Sequence, residues 1–398
     1  MIPINDLARG YNLYRDEYEE MAIEVLRSGW YVLGKQVTEF EKEYAAALSD
    51  DCYCAGVDNG LDAILLGVKA AGIEPGDEVI VQANGYIATM LGVMQAGGVP
   101  VFVEPDEYYQ LDAANIEAAI TPKTKAVLVT HLYGLATRME PIIDICRKHG
   151  LMLFEDCAQS HFAPYKGTYT GLFGDVSFFS FYPTKNFGGF GDGGGVVSKD
   201  QTIVDRVKVL RNYGSDYRYH NIAMGYNDRL DELQAGLLRV KLRHIHDLLG
   251  NRDHIAQRYL NDIRNPLVKL PETPDGCKHT WYQFVVRVDD QDGFREFLKS
   301  RDVGSDIAWK TPPYLQPVMM EKYGYKRGMY PKTEEICDTI VSLPMMDFME
   351  ESEIQQVVDA AGVSRMAFYR NFETKDQILQ YHVDRITDEF VRDAHMKE

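Results

Sequence analysis

The chain has 398 residues and a formal net charge of −18, from 42 Lys and Arg against 60 Asp and Glu. Its 45% hydrophobic and 26% charged residues exclude a disordered or collagenous chain, and no window carries the roughly 18 uncharged apolar residues of a membrane span. Strong acidity argues against a nucleic acid or an anionic membrane as the main partner, because phosphate neutralisation needs clustered Lys and Arg.

The start, MIPINDLARG, has no apolar run behind a basic segment, so the expected location is cytoplasmic. From about residue 50 to 200, short β-branched runs alternate with helical stretches, which predicts an α/β fold with a mostly parallel sheet. The predicted strands are Glu78–Val81, Pro100–Val103, Ala126–Thr130, Met152–Glu155, Ser177–Ser180 and Gly195–Ser198, with helices such as Gly60–Ala71 and Glu140–His149 as crossovers. Ligands in such sheets sit beyond the carboxyl ends of the strands. The polar residues there are Asn84 and Tyr86, His131, Asp156 and Gln159, then Ser180 and Lys185. Residues 228–260 read as one long amphipathic helix, or two with a break at Gly250. After Pro266 a strand over Trp281–Val288 and a helix over Gln291–Arg301 suggest a smaller α+β unit. The expected division is a large domain over 1–250, a small one over 251–360 and a helical tail over 361–398.

The six cysteines, Cys52, Cys54, Cys146, Cys157, Cys277 and Cys337, are scattered. A single C-x-C pair with no second Cys/His pair is a poor zinc signature, so buried reduced thiols are expected, and no metal.

The segment FEDCAQS…GDVSFFSFYPTKNFGGFGDGGGVV concentrates the chemistry. Asp156 ends one strand, and a lone Lys185 follows the next in a turn rich in Pro and Gly. Pyridoxal phosphate chemistry asks for such a pair, a lysine to form the Schiff base and a carboxylate to hold the pyridine nitrogen protonated. GFGDGG formally matches G-x-G-x-x-G, but a strand-like VVS follows it and no helix opens there, so a dinucleotide site is not expected.

SGWYVLGKQVTEFEKEYA, VDNGLDAI, HLYG, EDCAQSH, SFYPTKN with GDGG, and NYGS with GYNDRLDELQAGLLRVKL occur in this order. With these words the chain resembles the DegT/StrS-type nucleotide-sugar aminotransferases, of the fold type I group of pyridoxal phosphate enzymes, over residues 1 to about 360. The resemblance implies a seven-stranded-type sheet in the large domain and a homodimer with shared active sites. Lys185 would be the Schiff-base lysine, Asp156 the partner of the pyridine nitrogen, Gln159 a contact to the ring hydroxyl, and Tyr86 a stacking ring. The amides of Gly60 and Leu61, the Ser180 hydroxyl, and Asn227 from the partner subunit would bind the phosphate. His131, Tyr182, Tyr219 and Trp309 would contact substrate, although His131 reads equally as a core histidine. His161, His220 and His279 lean towards structural or pocket-edge roles.

The implied reaction is a two-half transamination from an amino-acid donor, glutamate by resemblance, to a nucleotide-linked keto sugar. Dehydratase relatives carry a histidine in place of the lysine, so Lys185 favours transamination. NGLDA, HLYG and GYNDRLDELQAGLLRVKL look most like the branch that aminates C3 of dTDP-3-keto-6-deoxyhexoses, with the C4 branch as the alternative. Two departures stand out. Ile307-Ala308-Trp309-Lys310-Thr311 replaces the usual I-H-Y-P before PPYLQP, and Phe162 stands where glycine is usual.

The tail, AAGVSRMAFYRNFETKDQIL, resembles the helix-turn-helix of TetR-type repressors and raises a DNA-binding reading. From Ala361 to Glu398 the chain has six basic and seven acidic residues, whereas a DNA footprint is basic, so nucleic acid is not the expected partner.

Overall fold

The computed structural model describes residues 1–362, so the tail reading lies outside the described residues. The N-terminal part is helical, with α1 (Leu7–Leu13), α2 (Arg15–Ser28) and α3 (Lys35–Leu48). Then come β1 (Tyr53–Val57), α4 (Gly60–Ala70), β2 (Glu78–Gln82), α5 (Ile87–Ala96), β3 (Val99–Val103), α6 (Ile116–Ala119), β4 (Thr124–Thr130), α7 (Met139–His149) and β5 (Met152–Asp156). A two-stranded ribbon, β6 (Pro164–Tyr165) with β7 (Thr168–Tyr169), precedes β8 (Val176–Ser180), β9 (Gly194–Ser198) and α8 (Gln201–Leu210).

Seven strands form one sheet in the order β1-β9-β8-β5-β4-β2-β3. Strand β9 runs antiparallel to both β8 and β1, and the other neighbours are parallel. Burial of both faces explains the continuous apolar runs: β8 and β9 are buried at every position. Strand β1 was not predicted from the sequence. Its segment YCAGV carries a glycine and too few β-branched residues to signal a strand; it pairs antiparallel with β9, and Gly56 leaves room for Leu230, whose Cδ2 would lie 2.9 Å from a Cβ there.

Local capping sets the helix bounds. Asn59 accepts a hydrogen bond from the Asp62 amide to start α4, a contribution of about 1 kcal/mol. Helix α7 ends on Arg147, Lys148 and His149 and on Gly150 at φ 64°, which suits its carbonyl end.

A hairpin of β10 (Ser215–Tyr217) and β11 (His220–Asn221) leads to α9 (Glu232–Arg243) and α10 (Ile245–Asp262). The break between these helices falls at His244, not at Gly250, which lies inside α10 facing open space. His244 is fixed by α2: its ring stacks on Tyr14 at 3.8 Å and its Nε2 lies 2.8 Å from Glu17. Beyond α10, the pair β12 (Phe284–Arg287) and β13 (Ile340–Leu343) packs with α10 and helix Glu351–Ala361 around Tyr259, Phe284, Leu298 and Ile354. None of the described helices is long and apolar enough to cross a membrane.

Candidate active site

Beyond the carboxyl ends of β2, β5 and β8, and beside the start of α4, lies a cavity of about 440 Å³. Gly60, Leu61, Tyr86, Asp156, Gln159, Ser180, Tyr182, Lys185 and Trp309 all line it. These nine sequence-selected residues come from five separate segments of the chain, and the fold brings them together.

At one end is a cup for an anion. Because the Asn59 side chain caps the third amide of α4, the amides of Gly60 and Leu61 have no partner within the helix turn and face the cavity. A Cβ on Gly60 would lie 2.6 Å from Cβ of Ser180, so only glycine lets the Ser180 hydroxyl approach the helix start. Gly194 serves the same contact from β9, since a Cβ there would lie 2.2 Å from the Asn59 carbonyl. Gly194 is the last glycine of GFGDGG, whereas Gly189 and Gly191 lie against Gln234.

The other end holds a buried acid. Asp156 accepts from the Thr89 hydroxyl at 2.6 Å and from the Ala158 amide at 3.1 Å, and no cation lies within 4 Å among the described residues. Burial pushes its carboxyl above the ordinary value, although Thr89, Ala158 and Lys185 pull it down. Gln159 accepts from the Tyr133 amide at 2.8 Å, which turns its NH₂ towards the cavity. Lys185 lies between these ends with its Nζ 4.6 Å from the centroid of the Tyr282 ring. An anion cup, an amine and a desolvated carboxylate in one cavity match a phosphorylated heteroaromatic aldehyde whose ring nitrogen carries a proton, so the residues present fit pyridoxal phosphate.

Trp309 forms the opposite wall. Its Nε1 donates to the Asn84 carbonyl at 3.1 Å, and its ring lies against Tyr133 at 6.1 Å and Tyr86 at 5.6 Å. Lys310 turns away to pair with Asp292. Phe162 has φ 59°, a conformation glycine adopts without strain, and its buried ring packs edge-on against Tyr44 and Tyr169.

Three of the expected site residues lie outside this cavity of their own chain. His131 is a core histidine and does not wall the cavity: Nδ1 accepts from the Thr137 amide at 3.0 Å, so Nε2 carries the hydrogen and donates to Glu155 at 2.9 Å. Tyr219 stands at the hairpin tip, 87% exposed, outside the cavity of its own chain. Asn227 is exposed and likewise does not line it. Among the other histidines, His161 and His279 are buried and held near pKa 3 by burial, and His220 pairs on the surface with Asp216.

Sequence reasoning missed Thr89, although it lies only three residues beyond Tyr86 on the first turn of α5. It also missed Tyr282, Gln283 and Asp306, which reach the cavity from distant segments and carry no local signal. Asp58, Asp62 and Asp228 cluster beside the start of α4, where burial and their mutual repulsion push Asp58 up to about 7 and Asp228 to about 6.

The sequence pattern of the DegT/DnrJ/EryC1/StrS aminotransferase family matches residues 13–361. The chain belongs to this family. It is 43% identical to a dTDP-3-amino-3,6-dideoxy-alpha-D-galactopyranose transaminase of Aneurinibacillus thermoaerophilus, over 91% of this chain and 99% of the relative. It is 39% identical to a dTDP-3-amino-3,4,6-trideoxy-alpha-D-glucose transaminase of Streptomyces venezuelae, over 90% and 95% of the two chains. The crystal structure of S. venezuelae DesV in complex with a ketimine intermediate superposes with a TM-score of 0.88 at 39% identity, covering 91% of this chain and 97% of that one. As a DegT/DnrJ/EryC1/StrS enzyme, the protein is a pyridoxal phosphate-dependent aminotransferase of nucleotide-linked keto sugars.

Proposed function

We propose that this aminotransferase converts a dTDP-3-keto-6-deoxyhexose to the 3-amino-3,6-dideoxy sugar, with glutamate as amino donor, in a homodimer whose two sites are shared between subunits. The observation that carries the reading is the single cavity holding Lys185, Asp156 and the Gly60–Ser180 cup. The C3 assignment draws on the two relatives named above, both transaminases of 3-amino sugars.

When bound, pyridoxal phosphate supplies the electron sink that makes the donor's α-hydrogen acidic. The Gly60 and Leu61 amides with the Ser180 hydroxyl would hold the phosphate, and Asn227 of each subunit would reach the neighbouring site. Asp156 would accept the ring N–H, with Thr89 and Ala158 fixing its two oxygens. The Gln159 NH₂ would donate to the ring hydroxyl, and Tyr86 would lie against the ring face. Lys185 Nζ would accept the donor's α-proton and, in the second half, deliver a proton to the sugar carbon that has received nitrogen. Tyr182 and Trp309 would flank the sugar. Large exposed apolar side chains, among them Trp30, Tyr217, Ile222 and Met224, suit burial against a second copy, and Tyr219 on the same hairpin would then stand at the partner's cavity.

The test is amination by the purified protein with pyridoxal phosphate and glutamate across a panel of 3-keto and 4-keto nucleotide sugars, products identified by mass and NMR. A 3-amino-3,6-dideoxy product is expected. Turnover of 4-keto sugars alone would overturn the C3 assignment, and turnover that survives Lys185→Arg undiminished would overturn the mechanism.

A further inference from the structure

Lys185 borders two cavities. One is the cofactor cavity. The other, about 180 Å³, lies behind the lysine turn and is lined by Asp6, Tyr18, Thr184, Lys185, Lys241 and Arg252, among others. A lysine freed from the cofactor during each half-reaction can therefore lie on either side, and only one side faces the reacting carbon.

The two sides differ in charge. Behind the turn, Lys241 donates to the Gly188 carbonyl at 3.1 Å and meets no carboxylate within 4 Å among the described residues. Arg252 is buried beside it and shares the single carboxylate of Asp347, at 2.8 Å. Asp6 is turned to the start of α1, where it accepts from the Arg9 amide at 3.2 Å and lies 3.8 Å from the Arg9 guanidinium. The back cavity thus presents two cations to one available carboxylate, and repels an ammonium. On the cofactor side, the Tyr282 ring lies under Nζ at 4.6 Å, within the range at which an aromatic face attracts a cation. Tyr282 lines only the cofactor cavity. It is carried on the segment leading into β12, and the carbonyl of the preceding residue, Trp281, accepts from Arg252 at 3.2 Å.

From this geometry we propose that Tyr282 is a positioning residue for the transamination described above: its ring face holds Lys185, in the free state, on the cofactor side and steadies the ammonium formed when Nζ takes up the donor's proton. The proton balance is complete within the reaction. In the donor half-reaction Nζ would gain the proton from the donor's α-carbon, hold it as ammonium over Tyr282 and release it to the cofactor's C4′ carbon, and in the sugar half-reaction it would take a proton from C4′ and release it to the sugar carbon. Burial pushes the Tyr282 phenol up, and the Lys185 ammonium, polar contacts of the hydroxyl with Thr184 and Lys185, and the Arg252 charge together bring it below the ordinary tyrosine value.

The inference rests on Lys185 being the reactive lysine, so the test separates the two. Cofactor-free protein is acetylated competitively over a pH series, and the Lys185 peptide is quantified by mass spectrometry, which gives the midpoint of its titration without any turnover. Tyr282→Phe keeps the ring and is expected to keep the midpoint. Tyr282→Leu is expected to lower it by about one pH unit, the equivalent of a partly desolvated cation–π contact. The single-turnover rate of holoenzyme with the amino donor alone should follow: close to wild type for Phe and down about tenfold for Leu. If Leu prevents folding, Tyr282→Met fills the volume without a π face and takes its place. An unchanged midpoint in the Leu or Met variant overturns the proposal. So does a Phe variant that behaves like Leu, which would assign the effect to the hydroxyl. A wild-type protein that gives no visible absorbance with pyridoxal phosphate would instead sink the functional reading, while the labelling comparison still judges the Tyr282 contact.

Discussion

Replacing Asp156 by asparagine separates what the carboxylate does for the cofactor from what it does to the empty protein, and the two effects have opposite signs. Asparagine keeps the shape. Its carbonyl oxygen can still accept from the Ala158 amide, and its NH₂ can donate to the Thr89 hydroxyl, which reverses its role. What is lost is the charge-assisted bond to the protonated ring nitrogen. Hydrogen bonds to charged groups contribute about 1.5–3 kcal/mol, so cofactor affinity should weaken by about 10- to 150-fold. In the cofactor-free protein the carboxylate is buried without a cation, and burial raises its pKa. A raised folded pKa means that this group contributes stability below its unfolded value of about 3.9, and that the contribution is lost as pH rises through the folded value. At neutral pH the cofactor-free Asp156→Asn protein should therefore melt no lower than wild type, and the gap between holo and cofactor-free Tm should shrink. The assays are an absorbance titration with pyridoxal phosphate and calorimetry of both forms. A variant whose cofactor-free form loses several degrees while its cofactor affinity stays unchanged would refute this account of the acid.

Gly60→Ala should weaken cofactor binding on the order of tenfold or more in the same titration, because its Cβ would lie 2.6 Å from Cβ of Ser180 and would force the cup open. At position 162 both truncations remove a buried ring, which costs about 3–5 kcal/mol, but the φ of 59° favours glycine. Phe162→Gly should therefore be less destabilising than Phe162→Ala by about 1 kcal/mol in urea melts, and the reverse order would exclude strain at this residue. Asp58 is pushed up to about 7 by burial and by its acidic neighbours, so its contribution to stability is present near pH 4 and lost as pH rises through 7. Asp58→Asn should raise Tm above that pH and leave it unchanged near pH 4, as a pair of calorimetric scans would show.

The central sheet was legible because its strands are buried on both faces and so read as apolar runs; those of β2, β4, β5 and β8 begin or end within two residues of expectation. The exceptions have local causes. Strand β1 lacks the β-branched residues that signal extension, and the break after α9 is set by Tyr14 and Glu17, more than two hundred residues away in sequence. In the site, the residues that follow strand ends were legible because strand direction alone delivers them to one edge. Tyr282 and Gln283 arrive there only through the packing of β12 against the rest of the chain, which no local pattern encodes. His131 follows a strand end like the others, and what excludes it from the cavity is a partner, Glu155, that claims its Nε2.

Glu155 and Asp156 show most directly how adjacent residues of one type acquire separate tasks. Successive side chains on β5 point to opposite faces, so the two carboxylates cannot share an environment. Glu155 meets the His131 ring and the amides of Gly171, Phe173 and Gly174. Although burial works against its charge, His131 and these amides outweigh it and hold its pKa below the ordinary value. A lowered pKa makes Glu155 a source of stability above its unfolded value, lost only as pH falls through the folded one. Asp156, one residue on, has two hydrogen bonds and no cation, and its pKa is raised. The first carboxylate is satisfied by the fold and pins the loop over residues 171–174 beneath the sheet edge. The second is left with unmet demand for a positive partner, and that demand faces the cavity. A buried acid whose needs the protein itself does not meet is the group that a cationic ligand atom can satisfy, which is why Asp156, and not Glu155, is assigned to the ring nitrogen.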